Sequence, residues 1–336
     1  MKKYSLLIIV LIILVGFVSC NLDSERGIYR SITESSEITS TRVTQALGYE
    51  DNMAYFLSDD GIYSKSNSSE SIKIVSKTPS ILSASFTYDK NDILFLTNTT
   101  SNETKVYAYN FTAVNWTERV ENEFENTKVI FNNSFFITQD GDNTIKIKFI
   151  EDVSNVITSL SSSITTLTKV LTSEDSILVL GENASEDEIA ELYSYTSGPS
   201  SIAKTSITYK NYIGFEYYTG GGYLLIDDEN NVYNNNVDTT YSIEATVTDL
   251  YTQQLASFSV NEYVYFKGEN YFHPVKSDGT NKELNLGFAK KLQADIVDIL
   301  PEGNLNTFIV FTRNSGIYKL SGVDPTVDSS GTVVEI

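Results

Sequence analysis

One cysteine, one histidine, one tryptophan and five prolines are all that 336 residues hold of those types, and each shortage excludes something. The lone cysteine, Cys20, allows no intramolecular disulfide, so packing and strand pairing must stabilise the fold. The lone histidine, His273, leaves no multi-histidine metal site. It also removes Ser-His-Asp and Cys-His catalysis unless His273 is itself the base. His273 sits in a strand-like run beside Pro274 and aromatic neighbours, a structural setting. Basic residues are scarce as well: 24 Lys and Arg stand against 44 Asp and Glu, a formal charge of −20. A field of that sign repels phosphate backbones and anionic headgroups, which argues against nucleic acid and against membrane binding through basic patches. With no catalytic constellation in view, the chain is expected not to be an enzyme and to need no cofactor or metal.

What the chain does have begins at its N-terminus. Lys2 and Lys3 precede an apolar run from Leu6 to Val18, followed by Ser19-Cys20. A basic start, a short hydrophobic stretch and a small residue form a secretory signal. The run of about 13 residues is short of the roughly 20 that a membrane-spanning helix needs. Phe17-Val18-Ser19-Cys20 resembles a bacterial lipobox. Phe17 stands where that pattern usually has Leu, a departure best tolerated in spirochaete-like lipoboxes. The resemblance implies cleavage after residue 19 and diacylation of Cys20, with the acyl chains as a stable membrane anchor. Cleavage removes Lys2 and Lys3 and no acid, so the formal charge deepens from −20 to −22. Asn21 is not the inner-membrane-retaining Asp of enteric bacteria. Where that sorting code applies, this favours the outer membrane; cell-surface and periplasmic placement both stay open. Residues 20–41 are rich in Ser, Thr and Glu and lack sustained apolar periodicity, which predicts a flexible tether with a reach of roughly 25 Å. Within it, Gly27 to Ile32 alternates like a strand and is a candidate edge strand.

From residue 42 to 336 one pattern repeats seven times. Apolar runs begin near Asn52, Asn91, Ser134, Asp175, Gly221, Asn261 and Asn306, spaced 39 to 46 residues apart. Such periods, with four strands each, are those of β-propeller blades. A polar turn follows each run, and then an apolar residue with tyrosine: Ile62-Tyr63, Val106-Tyr107, Leu192-Tyr193, Val232-Tyr233, Asn270-Tyr271 and Ile317-Tyr318. The third copy departs, with Ile145-Lys146-Ile147. Asp60-Gly61, Asp140-Gly141, Asn230-Asn231 and Ser315-Gly316 supply hairpin turns. The expected fold is all-β, a seven-bladed propeller of four-stranded blades behind a signal peptide and tether. Ser71 to Val75 and Ser242 to Val247 read as outer strands, and Ser83 to Tyr88 and Ile213 to Tyr218 as inner ones. Thr332 to Ile336 reads as the last outer strand, closing the ring by core packing between first and last blades. Ser185-Glu186-Asp187-Glu188 has the form of a capping box and predicts a helical turn. Residues 286–294 are a second helical candidate.

Gly61-Ile62-Tyr63, Gly316 to Leu320, and Tyr271-Phe272 through Ser277-Asp278-Gly279-Thr280 resemble repeat units of YWTD- and TolB-type propellers. The likeness covers all seven copies loosely and two or three well. It implies architecture and, for function, a binding platform, since a fold does not fix an activity.

The candidate chemistry is thin. Paired carboxylates would serve a carbohydrate-active propeller hydrolase, the alternative reading. Ser58-Asp59-Asp60-Gly61, however, misplaces the glycine of an Asp-box, and Trp116 lies elsewhere. Asp140 to Asn143 and Asp227 to Asn230 are oxygen-rich but lack EF-hand spacing, and turn chemistry accounts for both. In a propeller, equivalent turns share a face. The turns between second and third strands hold Asp59, Asp60, Asp140, Asp142, Asp227, Asp228 and Glu229. They form a candidate acidic rim for a cationic protein partner, broken by Arg313 in the seventh copy. Tyr217 to Tyr223, with three glycines, is either a tight turn over core tyrosines or a source of exposed aromatic anchors.

Overall fold

The computed structural model describes residues 42–66, 71–76, 81–98, 103–120, 124–130, 134–141, 143–152, 155–173, 176–195, 202–218, 222–234, 237–242, 257–260, 263–267, 272–276, 296–302, 307–313, 316–322 and 332–336. The predicted Gly27–Ile32 strand, Asp142, Asn270-Tyr271 and the helical candidate at 286–294 lie outside them.

The strands fall into seven antiparallel meanders. Blade 1 is β1 (Val43–Glu50), β2 (Met53–Ser58), β3 (Gly61–Ser66) and β4 (Ile72–Ser76). Blade 2 is β5 (Ile81–Phe86), β6 (Asp92–Asn98), β7 (Thr104–Asn110) and β8 (Asn115–Arg119). Blade 3 is β9 (Thr127–Ile130), β10 (Phe135–Gln139), β11 (Ile145–Asp152) and β12 (Asn155–Ser161). Blade 4 is β13 (Ile164–Ser173), β14 (Ser176–Asn183), β15 (Glu188–Tyr195) and β16 (Ile202–Ile207). Blade 5 is β17 (Tyr212–Tyr218), β18 (Gly222–Asp227), β19 (Asn231–Asn234) and β20 (Val237–Ser242). Blade 6 shows three described strands, β21 (Ser257–Val260), β22 (Tyr263–Lys267) and β23 (Phe272–Lys276). Blade 7 is β24 (Ile296–Pro301), β25 (Thr307–Thr312), β26 (Ile317–Ser321) and β27 (Thr332–Glu335). The protein is a seven-bladed β-propeller.

The seven apolar runs are the second strands, and their unbroken hydrophobicity has a physical cause. A second strand is covered on both faces by neighbouring blades, so both sets of alternate residues are buried. In β6, Ile93 and Phe95 pack towards blade 1, while Leu94 and Leu96 pack towards blade 3. In β14, Ile177 and Val179 face blade 3, and Leu178 and Leu180 face blade 5. Seven such clusters fill the seven gaps between consecutive blades. The seventh joins blade 7 to blade 1 through Ile309, Phe311, Ile317 and Ile336 against Val43, Ala54, Phe56 and Tyr63. Thr332–Glu335 pairs with β26, so blade 7 completes itself, and no described strand ladder crosses from blade 7 to blade 1.

Polar stitches between inner strands supplement the cores. Gln45 of β1 exchanges two hydrogen bonds with the Ala84 backbone of β5, at 2.9 and 3.3 Å. Ser83 and Ser85 accept the amides of Ile130 and Ser134, both at 3.1 Å. Lys169 of β13 donates to the Tyr212 carbonyl at 3.1 Å. At the seam, the Val43 amide donates to the Arg313 carbonyl at 3.2 Å.

Two local expectations are corrected. Ser185 to Glu188 is no helical turn. The Asn183 side chain accepts the amides of Ser185 and Asp187 at 2.8 and 3.0 Å, and Glu186 sits at φ 64°. The run that follows is β15, where Leu192 faces blade 5 and Tyr193 faces blade 3, a period of two. The outer strand of blade 5 is Val237–Ser242, lying before the predicted segment and sharing only Ser242 with it. The expected hairpin glycine does hold: Gly61 has φ 153°, and a Cβ there would lie 2.1 Å from the Val75 carbonyl oxygen.

Candidate functional site

Successive strands of a blade run in opposite directions, which sorts every turn onto one of two faces. Second-to-third-strand turns and links between blades share face I. First-to-second and third-to-fourth turns share face II. The described chain enters the ring at Arg42 and leaves it at Ile336, both on face I.

The acids of the candidate rim occur on face I in different states. Asp59 is exposed, 3.9 Å from Arg42. Asp60 accepts hydrogen bonds from Lys73 and, at 2.8 Å, from the Tyr63 hydroxyl. Burial raises the Asp60 pKa, but these two donors outweigh it and hold the carboxyl below the ordinary range. Asp140 pairs with Lys146 at 2.6 Å. Asp227 is only 4% exposed and serves as the nucleus of its own turn. It accepts the amides of Glu229 and Asn231 at 3.0 and 2.8 Å and the Tyr233 hydroxyl at 2.7 Å. Burial and that bond to Asp227 push the Tyr233 hydroxyl up to about 12. Asp228 and Glu229 point outward. The structure therefore gives the repeated third-strand tyrosine a reason: Tyr63 and Tyr233 each clamp an acid of the preceding turn.

Blade 4 holds the most enclosed version of this clamp, at a residue the sequence reading passed over. Glu191 of β15 is 2% exposed. Its carboxylate accepts Ser162 Oγ at 2.6 Å, the Ser163 amide at 3.2 Å and the Tyr193 hydroxyl at 2.5 Å. Lys204 Nζ lies 2.6 Å away. Burial alone would raise the Glu191 pKa; Lys204, Ser162, Tyr193 and the Ser163 amide more than reverse that and lower it. Ser162 and Ser163 form the link from blade 3, so Glu191 also ties two blades together. A Glu two residues before a strand tyrosine was the available signal.

Replacing Asp227 with alanine removes three turn bonds and leaves Tyr233 without its acceptor. The expected loss is about 2–3 kcal/mol of unfolding free energy in urea titration. Asp228→Asn should stay within about 0.5 kcal/mol of the parent.

Among the described residues, several aromatic side chains lie on face II. Of the Tyr217 to Tyr223 run, Tyr218 is buried between blades 5 and 6, whereas Tyr217 is 36% exposed. Tyr217 meets Tyr223 edge-on at 5.4 Å, and the Tyr223 hydroxyl lies 2.5 Å from Ser176 Oγ. Tyr88, in the β5–β6 turn, is 41% exposed and packs on Tyr195 at 4.9 Å. Tyr195 in turn stacks on Phe149 at 4.3 Å. His273 lies in β23, opposite Phe266. Among the described residues, no group of three or more His, Cys, Asp or Glu is placed to hold a metal ion.

No protein-family profile and no curated protein matches the chain. Solved structures do. The chain is similar to PorZ, an essential bacterial surface component of the type-IX secretion system of Porphyromonas gingivalis, with 10% identity and a TM-score of 0.53. That match covers 88% of this chain and 38% of PorZ. Puromycin hydrolase matches with 7% identity and a TM-score of 0.54, over 90% of this chain and 55% of the hydrolase. YCF48 bound to D1 peptide matches with 10% identity and a TM-score of 0.50, over 85% and 94% of the two chains. The chain thus spans about two-fifths and just over half of the first two. At such identities the likeness shows the propeller fold alone.

Proposed function

We propose that this propeller is a lipid-anchored interaction platform outside the cytoplasm, recognising a cationic protein partner. The observation that carries this reading is the use the ring makes of its enclosed carboxylates. Asp227 is satisfied by donors of its own blade, Glu191 by its own blade and the link from blade 3, and Glu216 by Ser173 and Ser257 at 2.7 and 3.0 Å. Acids held in this way stiffen a scaffold. The exposed acids Asp59, Asp228 and Glu229, within a strongly negative chain, suit long-range attraction of a positive surface. The peptide-bound YCF48 propeller is a precedent for the architecture in that use. The signal-like N-terminus and Cys20 support export and acylation, with the outer membrane as the address.

The test is fractionation of cells after palmitate labelling. Full-length chain should carry label and sediment with membranes, and Cys20→Ala should lose both. Label or sedimentation that persists in Cys20→Ala would refute the anchor. Protease treatment of intact cells then separates surface exposure from periplasmic shelter, and cross-linking in intact cells asks whether a protein partner is held.

A further inference from the structure

We propose that β8, the outer strand of blade 2, is a self-association edge through which two copies of this chain pair antiparallel about a two-fold axis at Thr117.

An outermost strand is paired along one edge only, and its other edge is a template for a second chain. The other described outer strands of the ring each carry a guard against that. β4 has Lys73 within it and a bulge against β3. β12 and β20 are bulged as well. β16 carries Lys204, and β27 is only four residues long and ends on Glu335. β8 has no lysine, no proline and no bulge: its five residues pair with β7 in unbroken register.

This edge also presents apolar surface to water. Asn115, Trp116, Thr117 and Glu118 are all exposed. Val114 and Val120, immediately before and after β8, are 71% and 80% exposed, the highest values of any large hydrophobic side chain among the described residues. Val114 sits at φ 51°, a left-handed backbone that a β-branched side chain adopts only under strain. The turn holds it there: Asn110 accepts the Val114 amide through its carbonyl at 2.9 Å and the Ala113 amide through its side chain at 2.8 Å. Glycine or asparagine would fit that backbone with less strain and would present no apolar surface. Trp116 is fixed before contact, edge-on to Tyr107 at 5.2 Å and to Phe95 at 6.1 Å.

Charge and shape choose a second copy as the occupant. Two identical edges related by a two-fold axis pair antiparallel, and directly opposed residues share a face of the joined sheet. An axis at Thr117 sets Val114 of each copy against Val120 of the other. It sets Asn115 against Arg119, an amide oxygen against a guanidinium. Trp116 meets Glu118, whose charge Lys105 balances at 2.7 Å. Thr117 meets its own copy, a favourable cross-strand pair. An axis at Glu118 or Arg119 would oppose like charges, and one at Trp116 would set Val114 against Glu118. Glu118 and Arg119 cancel on β8, so the edges meet without the repulsion expected of a chain of formal charge −20. Residues 114–120 make a small interface, so the pair is weak and transient. β8 runs from face II to face I, so face I of the two copies points in opposite directions, a geometry suited to copies on facing surfaces.

Sedimentation equilibrium of the full-length chain in density-matched detergent, from about 1 to 100 μM, should show monomer and dimer in exchange. Added salt should tighten the pair, since the long-range force between two such negative chains is repulsive. Thr117→Lys sets two ammonium groups face to face and should abolish the dimer over that range. An equimolar mixture of Thr117→Lys and Thr117→Glu should recover it, as a Thr117–Thr117 contact requires. Val114→Asn should weaken the dimer about tenfold while raising the melting temperature by about 1–2 °C, because it removes apolar contact and relieves the turn. Circular dichroism confirms that each variant is folded. A chain that stays monomeric throughout would overturn the proposal. So would a dimer that Thr117→Lys leaves intact, or one that the mixture does not restore. A photo-crosslinker in place of Thr117 in intact cells should give a product of twice the chain mass. Capture of a different protein alone would overturn self-pairing in favour of a foreign strand at the same edge.

Discussion

Phe311→Ala should cost about 3–5 kcal/mol, the usual toll of emptying a large aromatic from a full core. Phe311 is 0% exposed and lies in the cluster that joins blade 7 to blade 1. The position matters as much as the size. At six interfaces the chain itself crosses from one blade to the next, so a cavity stays local. Between blades 7 and 1 the described structure supplies that cluster, the Val43–Arg313 backbone bond, and Lys65–Glu335 at 3.6 Å. An ion pair with one partner in water contributes about 1 kcal/mol. Phe136→Ala, at the interface of blades 2 and 3, is the matched control. Urea unfolding followed by Trp116 fluorescence and by far-ultraviolet circular dichroism should give coincident transitions for Phe136→Ala. For Phe311→Ala the two should separate, because blade 2, which carries Trp116, outlasts the opened seam. Coincident transitions in Phe311→Ala would show that the seam is as strong as its neighbours.

Glu191→Ala should be nearly as damaging at neutral pH, by about 3 kcal/mol, since it strands Tyr193, Ser162 and Lys204 around an empty site. The acid limb gives this prediction a distinct signature. The folded pKa of Glu191 lies below its ordinary 4.5. Its stabilisation is therefore complete above about pH 4.5 and drains away as pH falls through the lower, folded value. Glu191→Gln keeps most of the shape and has no charge to lose. Its stability should follow a flatter course than the parent below pH 4.5, in urea midpoints measured at pH 7, 5, 4 and 3. Parallel curves for parent and Glu191→Gln would mean that Glu191 titrates alike folded and unfolded.

Both sites show what was legible beforehand. The second strands stood out because burial on both faces writes an unbroken apolar run, and seven such runs at one period imply a ring. The third-strand tyrosine was legible as a repeat, yet its purpose was hidden, because sequence cannot show that the Tyr233 hydroxyl turns back to Asp227. For the same reason the acidic series looked uniform: Asp227 and Asp228 are neighbours in the chain, but one is a turn nucleus and the other faces water. The capping-box pattern at Ser185 misled because Asn183, just upstream, claims the amides that a helix N-terminus would offer. On face II the Tyr217 to Tyr223 run was legible as a source of exposed aromatics, but the packing of Tyr88 was not. Tyr88 and Tyr195 belong to different blades, and only the curvature of the ring brings them together.

The chain comes into the ring and goes out of it on the same face, at Arg42 and Ile336. Both described ends of the ring therefore lie on the face that carries the second-to-third-strand turns. A pull on the two ends would load the strands that begin and end the ring, β1 and β27, each paired along one edge only. It would bear on the seam between the first and last blades, which would part like a clasp while the six covalently linked interfaces stayed shut.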